Sequence, residues 1–269
     1  MQSVHPWPYA RVSAHRGAGT MAPENTLEGF RAGLHHGFHA FETDAMLAKD
    51  GVPVLMHDER FGRTIRDTRS VPELTSLEIR SLDAGSWFAP QYTGVPPAGF
   101  EQAVRWCRAN RVWLNIEIKP AKGAELETGR VVGRLTGELY ADLVREGGAT
   151  QAGVVPDAPL FSSFKPDALR GAMETAPNIP RGFLVDELPE NWREVLEEIV
   201  DVARRHQLMI FSDEIYDRLC MDGVEHISIA SLAPDLPCVT FSGLSKSHMI
   251  AGYRIGWMVL SGNRDCARD

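Results

Sequence analysis

Short runs of apolar or alternating residues recur along the chain, separated by segments in which apolar residues have helical spacing. The strand-like runs cover residues 11–14, 39–47, 53–57, 112–118, 159–163 and 182–185. Strands that alternate with helical segments in this way are typical of a parallel sheet with crossover helices. The pattern therefore predicts an α/β domain over the first two-thirds of the chain.

The segment between the first two runs carries the signals of a complete helix. Asn25 is a favoured N-cap residue, Glu28 stands at the third position of a capping box, and Gly37 follows as a stop. One face of this helix carries Leu27, Phe30 and Leu34. Residues 58–99 break the alternation with mixed polar, glycine and proline content, which indicates an insertion or a set of long loops.

The last third of the chain contains one more helix and three more strand-like runs. Asn191 and Glu194 form a second cap signal, and an apolar stripe at helical spacing continues to about His206. The runs that follow cover residues 208–212, 237–242 and 257–260. No change of composition marks a linker, so the domain organisation must be inferred from the chemistry of the residues.

Charge argues against two classes of partner. The chain has 28 lysine and arginine residues against 36 aspartate and glutamate residues, a formal net charge of −8. An acidic chain without a basic block lacks the positive field that binding to nucleic acid or to an anionic membrane requires. No apolar run approaches the roughly 18 residues of a membrane span, and no signal-peptide pattern opens the chain, which predicts a cytoplasmic protein. The four scattered cysteines are predicted to be free thiols, and the oligomeric state is not indicated.

Polar residues share one face on two of the predicted strands. Because side chains two apart on a strand point the same way, Glu42 and Asp44 lie on one face. Asn115, Glu117 and Lys119 alternate in the same manner on a later run. Carboxylates in a sheet that is covered on both faces must be paired with a cation or a metal. The oxygen-only set of Glu42, Asp44 and Glu117 suits Mg²⁺ or Ca²⁺ rather than zinc.

Two histidines close strand-like runs, where the catalytic groups of barrel enzymes collect. His15 follows the first run and His57 ends the third. A pair of imidazoles beside a metal suits general acid/base catalysis on a phosphoester, with Arg16 and Lys119 available for the phosphate charge. Taken singly, a strand-end histidine is more often a structural residue, and paired strand acids often form salt bridges. The combination favours a catalytic centre.

A set of motifs that includes these residues occurs in a familiar order. The motifs are His15-Arg16-Gly17, Pro23-Glu24-Asn25-Thr26, Glu42-x-Asp44, Lys49-Asp50-Gly51, His57-Asp58, Asp83-Ala84-Gly85-Ser86-Trp87, Asn115-Ile116-Glu117-Ile118-Lys119-Pro120 and Ser162-Ser163-Phe164. Over residues of about 8 to 194, the chain resembles the glycerophosphodiester phosphodiesterases, in particular the cytoplasmic bacterial type.

The resemblance implies a TIM-type barrel in which Glu42, Asp44 and Glu117 hold a divalent metal and His15 and His57 are catalytic. It also implies the hydrolysis of small glycerophosphodiesters, such as glycerophosphocholine or glycerophosphoethanolamine, to glycerol 3-phosphate and an alcohol. The sequence does not assign the acid and base roles between the histidines. It also leaves open whether the attacking group is water or a glycerol hydroxyl that forms a cyclic phosphate.

After about residue 195 a second resemblance begins. Its motifs are Phe211-Ser212-Asp213-Glu214-Ile215-Tyr216-Asp217, Phe241-Ser242-Gly243-Leu244-Ser245-Lys246 and Gly252-Tyr253-Arg254-Ile255-Gly256-Trp257. They resemble fold-type I pyridoxal-phosphate aminotransferases of the alanine aminotransferase group. The resemblance implies that Asp213 faces the pyridine nitrogen, Tyr216 the ring hydroxyl, Lys246 the Schiff base and Arg254 the phosphate.

The chain is therefore interpreted as chimeric, with an incomplete barrel of about six strands in residues 1–195 and a partial aminotransferase large domain in residues 196–269. The upstream phosphate-binding turn, the stacking aromatic residue, the Asn-Pro-rich loop and the C-terminal substrate arginine of an aminotransferase are absent from the sequence. The second segment is accordingly expected to reflect ancestry rather than a bound cofactor. Because natural fusions usually join whole domains, a truncated, recombined or misassembled reading frame is favoured. An aminotransferase fragment or an inactive chain are the alternatives.

Overall fold

A computed structural model of the chain describes residues 12–144, 158–184, 191–206, 208–220, 225–249 and 255–262. Two units make up the chain, an N-terminal unit of His5–Asp186 and a C-terminal unit that contains Glu187–Asp269. Within the described ranges, no helix has the length and apolarity needed to cross a membrane.

The N-terminal unit is built on one five-stranded sheet. Its strands are β1 (Ala40–Leu47), β2 (Pro53–Leu55), β3 (Trp113–Ile118), β4 (Leu160–Ser163) and β5 (Arg181–Phe183). Their spatial order is β2-β1-β3-β4-β5, and the pairs from β1 to β5 are parallel. These strands confirm five of the six predicted runs. The first run contributes a parallel bridge from Ala14 to Phe41, while Arg11 at its start and Val185 at the end of the sixth run lie outside the described residues.

Strand β2 differs from the parallel strand that a barrel position would require, because it is antiparallel to β1. The connection from Leu47 to Pro53 is too short for the crossover that joins parallel strands. Gly51 turns the chain with a φ of 72°, a conformation that favours glycine. The two strands form a hairpin, and this hairpin carries His57 back alongside β1.

Helices cover the sheet and fill the long connection between β2 and β3. They are α1 (Leu27–His35), α2 (Ser76–Ile79), α3 (Phe100–Ala109), α4 (Glu125–Leu139), α5 (Ala141–Val144) and α6 (Pro166–Thr175), with 3-10 turns at His15–Gly17, Val71–Glu73 and Pro90–Tyr92. The predicted cap of α1 is wrong by one residue, since the N-cap is Thr26 and its Oγ1 accepts from Gly29 N at 3.0 Å. The side chain of Asn25 therefore does not cap the helix and makes its hydrogen bonds elsewhere.

The main core lies between the sheet and helices α1, α3, α4 and α6. Its largest fully buried side chains include Phe30, Phe41, Phe100 and Phe161. A separate small core packs beneath the predicted insertion at residues 58–99; it consists of Met46, Ala48, Val54, Met56, Ile65, Val71, Leu74, Ile79 and Ala84. The insertion is therefore a packed layer over the β1–β2 hairpin.

Helices α4 and α6 cross so closely that glycine is required between them. A Cβ atom built on Gly129 would lie 2.0 Å from the carbonyl oxygen of Ala168. We expect Gly129→Ala to lower the free energy of unfolding by about 1–3 kcal/mol, the usual cost of overpacking. Gly137→Ala on the same helix is the control, because its Cβ would meet Ala176 Cβ at 3.7 Å. The control should gain up to about 1 kcal/mol from helix propensity. Urea unfolding measures both, and equal effects would contradict the close crossing.

The C-terminal unit has its own small sheet. Helix α7 (Trp192–His206), predicted from its cap and stripe, precedes strands β6 (Ile210–Asp213), β7 (Cys238–Gly243) and β8 (Gly256–Ser261), with short helices α8 (Ile229–Leu232) and α9 (Leu244–Ser247) between strands. Strands β6 and β7 are parallel, and β8 is antiparallel to β7. The three strands confirm the last three predicted runs. The predicted domain boundary at residue 195 falls inside α7.

Candidate active site

Three carboxylates converge where β1 and β3 pair. Glu42 and Asp44 lie two residues apart on β1, and the parallel register sets Asp44 directly opposite Glu117. On β3 the polar residues are half-buried while Leu114, Ile116 and Ile118 between them are buried, as the alternation predicts. One oxygen from each of the three acids lies within 4.8 Å of the others. The register of β1 against β3 thus places the three acids next to one another in one acidic cluster.

The electrostatics of this cluster favour a cation. Burial, followed by the charge of Asp44, raises the pKa of Glu42 to about 8, and burial also raises the pKa of Glu117. Glu42 Oε1 and Asp44 Oδ1 are buried and have no hydrogen-bond partner within the described part of the chain. A hard divalent ion is bound by carboxylate oxygens of this kind. Glu42, Asp44 and Glu117 therefore fit a Mg²⁺ or Ca²⁺ ion.

A tight turn brings His15 and Arg16 against the acidic cluster. Arg16 has a φ of 53°, which is uncommon for a residue with a side chain, and its backbone N–H donates to Glu42 Oε2 at 3.0 Å. The turn also brings His15 Nε2 to 3.8 Å from the same carboxylate oxygen. Gly17 allows the close packing that follows, since a Cβ there would lie 2.4 Å from the ring of Phe30. Partial burial and then the charge of Arg16 lower the pKa of His15, which favours the neutral imidazole.

The second histidine reaches the site through the hairpin. Met56 N donates to the carbonyl oxygen of Asp44 at 3.0 Å, so His57 follows directly beside β1. His57 Nδ1 lies 2.7 Å from Asp58 Oδ1. An ionised carboxylate at that distance holds the ring proton on Nδ1 and leaves Nε2 as the free ring nitrogen.

The two predicted phosphate-binding cations lie at the same place. Arg16 Nη1 donates to Glu24 Oε1 at 2.9 Å, and Arg16 Nε is 3.5 Å from Asp44 Oδ2. Lys119 Nζ lies 3.5 Å from Glu117 Oε1 and 3.7 Å from Asp44 Oδ1. The structure therefore brings together all seven predicted residues of the first segment, the two histidines, the three acids and these two cations. Their individual roles stay predictions.

Sequence reasoning did not assign two residues that contact this cluster. Asn25, with a φ of 54°, donates through Nδ2 to Asp44 Oδ2 at 2.8 Å and accepts from Thr43 Oγ1 at 2.8 Å. It therefore fixes the orientation of the buried Asp44 carboxylate. Its position in the Pro23-Glu24-Asn25-Thr26 motif was the available signal. The second residue is Arg63, which contacts Glu24 and Asp58. No pattern in the sequence of residues 58–99 distinguished it from the other polar residues there.

The predicted cofactor residues of the second segment lie in the C-terminal unit. Asp213 ends β6 and Lys246 follows β7, and Lys246 Nζ is 5.4 Å from the centroid of the Tyr216 ring. Arg254 lies outside the described residues. Asp213, Tyr216 and Lys246 are all exposed, and Asp213 accepts from the nearby Ile215 N at 3.1 Å. The described residues thus provide no enclosed site and do not fit pyridoxal phosphate.

Comparison with known proteins identifies two sources of similarity. Glutamate-pyruvate aminotransferase AlaA of Escherichia coli K12 is 50% identical over 99 residues, which are 37% of this chain and 23% of AlaA. YhdW of Bacillus subtilis, provisionally described as a glycerophosphodiester phosphodiesterase, is 34% identical over 128 residues, 46% of this chain and 52% of YhdW. The chain therefore spans about a quarter of the first relative and about half of the second. These partial matches support a chimeric chain.

A solved structure and a family model extend the second similarity. The structure of an Oleispira antarctica phosphodiesterase in complex with the product sn-glycerol-3-phosphate is 28% identical, with a TM-score of 0.60, and the match covers 83% of this chain and 87% of that one. Residues 15–232 match the model of the glycerophosphoryl diester phosphodiesterase family, whose fold is a TIM-type barrel. This match includes both histidines and all three acids and continues past residue 195 into α8. The chain belongs to the glycerophosphoryl diester phosphodiesterase family.

Proposed function

We propose that the chain hydrolyses small glycerophosphodiesters to sn-glycerol 3-phosphate and an alcohol with the help of a divalent metal. The observation that carries this proposal is the acidic cluster of Glu42, Asp44 and Glu117 with two histidines beside it. The glycerol 3-phosphate in the Oleispira antarctica relative supports the product class. Glycerophosphocholine and glycerophosphoethanolamine are the proposed substrates.

Within this proposal, Glu42, Asp44 and Glu117 would hold the ion, which would supply positive charge against the negative charge that develops on the phosphoryl oxygens. Arg16 and Lys119, which both lie beside Asp44, bind the phosphate oxygens. Glu24 occupies Arg16 Nη1, and Glu117 lies 3.5 Å from Lys119 Nζ, so both cations are held in place and keep other N–H donors for the phosphate. The substrate is thereby oriented with its phosphorus next to the histidines.

The two histidines move the protons of the reaction. The lowered pKa of His15 keeps the ring neutral near pH 7, so we assign it the proton taken from the attacking hydroxyl. The proton for the leaving alkoxide is then assigned to the cationic form of His57, in which Asp58 holds the proton on Nδ1 and Nε2 carries the proton that is transferred. This division is chemically the same for an attacking water and for a glycerol hydroxyl of the substrate.

Release of glycerol 3-phosphate from glycerophosphoethanolamine by the purified full chain is the direct test. We expect release with Mg²⁺ or Ca²⁺, no release with EDTA, and a loss of about 10²-fold or more in the His15→Ala variant. Folded wild-type chain that releases no product with either metal would contradict the proposed function. Release at the wild-type rate in His15→Ala would contradict the role of His15 in proton transfer.

A further inference from the structure

Arg63 binds two carboxylates at once, and neither belongs to the acidic cluster. Its Nε donates to Asp58 Oδ2 at 2.7 Å, while Nη1 and Nη2 donate to the two oxygens of Glu24 at 2.8 and 2.6 Å. All three distances are those of charge-assisted hydrogen bonds, and the contact to Glu24 is bidentate. Such a planar fork can be made by arginine but not by lysine.

Each of these carboxylates also holds a residue of the proposed catalytic centre. Asp58 uses its other oxygen for His57 Nδ1, at 2.7 Å. Glu24 uses Oε1 for Arg16 Nη1 as well, at 2.9 Å. A continuous chain of hydrogen bonds therefore runs from His57 through Asp58, Arg63 and Glu24 to Arg16. It connects a proton-transferring group to a phosphate-binding group through a residue that contacts neither.

We propose that Arg63 is a positioning residue, which holds His57 and Arg16 in their working orientations by tying Asp58 and Glu24 together. The proposal rests on the proposed function for its effect on turnover. Its structural content, the tautomer and orientation of His57, is independent of that function. Outer residues that orient catalytic groups in this way commonly contribute 10–100-fold to activity or metal affinity.

The charges on the network agree with this role. Hydrogen bonds from Arg63 and Arg16 hold the pKa of Glu24 below its ordinary value despite the desolvation of this group. Hydrogen bonds from His57 and Arg63 likewise lower the pKa of Asp58 against its desolvation. Both carboxylates are therefore ionised near neutral pH. Each accepts hydrogen bonds from two side chains, Asp58 from His57 and Arg63, and Glu24 from Arg16 and Arg63. Removal of Arg63 leaves Asp58 and Glu24 without their shared anchor.

The test compares Arg63→Met with Arg66→Met in the full chain. Arg66 is the matched control, since it is an exposed arginine three positions along and makes no hydrogen bond or ion pair with the described residues. We expect Arg63→Met to lower kcat about 10–100-fold and to raise KM, and Arg66→Met to keep wild-type values. Arg63→Lys keeps the charge and can reach one carboxylate, so its kcat should fall between the two.

Two further variants separate the arms of the network. Asp58→Asn removes the negative charge and leaves one oxygen for His57 and Arg63 to share, and it should lower kcat with little change in KM. Glu24→Gln removes the negative charge and leaves one oxygen for Arg16 and Arg63 to share, and it should raise KM more than it lowers kcat. In a His57→Ala background, Arg63→Met should cause little further loss of kcat, because residues that act through one group are not additive. Additive losses would mean that Arg63 does not act through His57.

Nitrogen-15 NMR of the histidine rings gives a readout that does not depend on turnover. In the wild-type chain we expect the His57 signals of a ring protonated on Nδ1, identified by their absence in His57→Ala. In Arg63→Met we expect a mixture of the two tautomers, and in Arg66→Met the wild-type pattern. If the wild-type chain releases no glycerol 3-phosphate, the proposed function fails and this spectrum alone decides the role of Arg63. An unchanged His57 tautomer in Arg63→Met would overturn the proposal.

Discussion

Replacing His15 or His57 with alanine is expected to lower kcat by about 10²-fold or more and to leave metal affinity unchanged. The reason is that each substitution removes a group that transfers a proton, while the carboxylates of the metal cluster stay intact. His39→Ala is the matched control, since His39 is exposed and directly precedes β1, before the strand reaches the acidic cluster. It should keep the wild-type kcat.

The measurements for this prediction are kcat from product release and metal affinity from isothermal titration calorimetry. A wild-type rate in either variant would remove that histidine from proton transfer. A loss of metal affinity in His15→Ala would instead indicate that His15 binds the metal, since its Nε2 lies 3.8 Å from Glu42 Oε2.

Removing one acid from the cluster is expected to weaken metal binding at least 10–100-fold, the loss that follows even from changing groups one step further from a metal. Asp44→Asn should have the larger effect, because Asp44 is 1% exposed and is oriented by Asn25. Glu42→Gln should be rescued partly by excess metal. Glu101→Gln, a change in an exposed acid of α3, is the control that should bind metal normally.

The pH dependence of metal binding follows from the same cluster. Since the pKa of Glu42 is raised to about 8, protons compete with the metal for this carboxylate, and affinity should rise as the pH increases from 6.5 to 8.5. Glu42→Gln should weaken this dependence. Calorimetric titrations with Mg²⁺ and Ca²⁺ at both pH values check it, and equal wild-type affinities would contradict metal binding by a Glu42 whose pKa is raised.

The elements of the fold were predictable because their signals are local. Alternation over residues 112–118 identified β3 and its polar face, and the apolar stripe identified α7. The N-cap of α1 was misassigned because Asn25 and Thr26 are both good caps, and the choice between them depends on a contact with the distant Asp44. The capping preferences of the two residues contain no information about that contact.

The chemistry of the acidic cluster also followed from the sequence, whereas its geometry did not. Alternation predicts that Glu42 and Asp44 share a face, and the residue types predict a hard cation. The distance between Asp44 and Glu117 depends on the register of β1 against β3, which packing of the core fixes. The antiparallel direction of β2, which brings His57 to the site, likewise becomes visible only in the hairpin.

By itself, the sequence determined the strands and helices, the residue types of the catalytic centre and the two family resemblances, since periodicity and motif order are properties of neighbouring residues. Only the tertiary structure decided which groups meet. Arg63 and Glu24 are 39 positions apart and share two hydrogen bonds, a contact that joins the layer over the hairpin to the segment just before α1. Hydrogen bonds between distant residues depend on the packing of everything between them, and no local pattern records that packing.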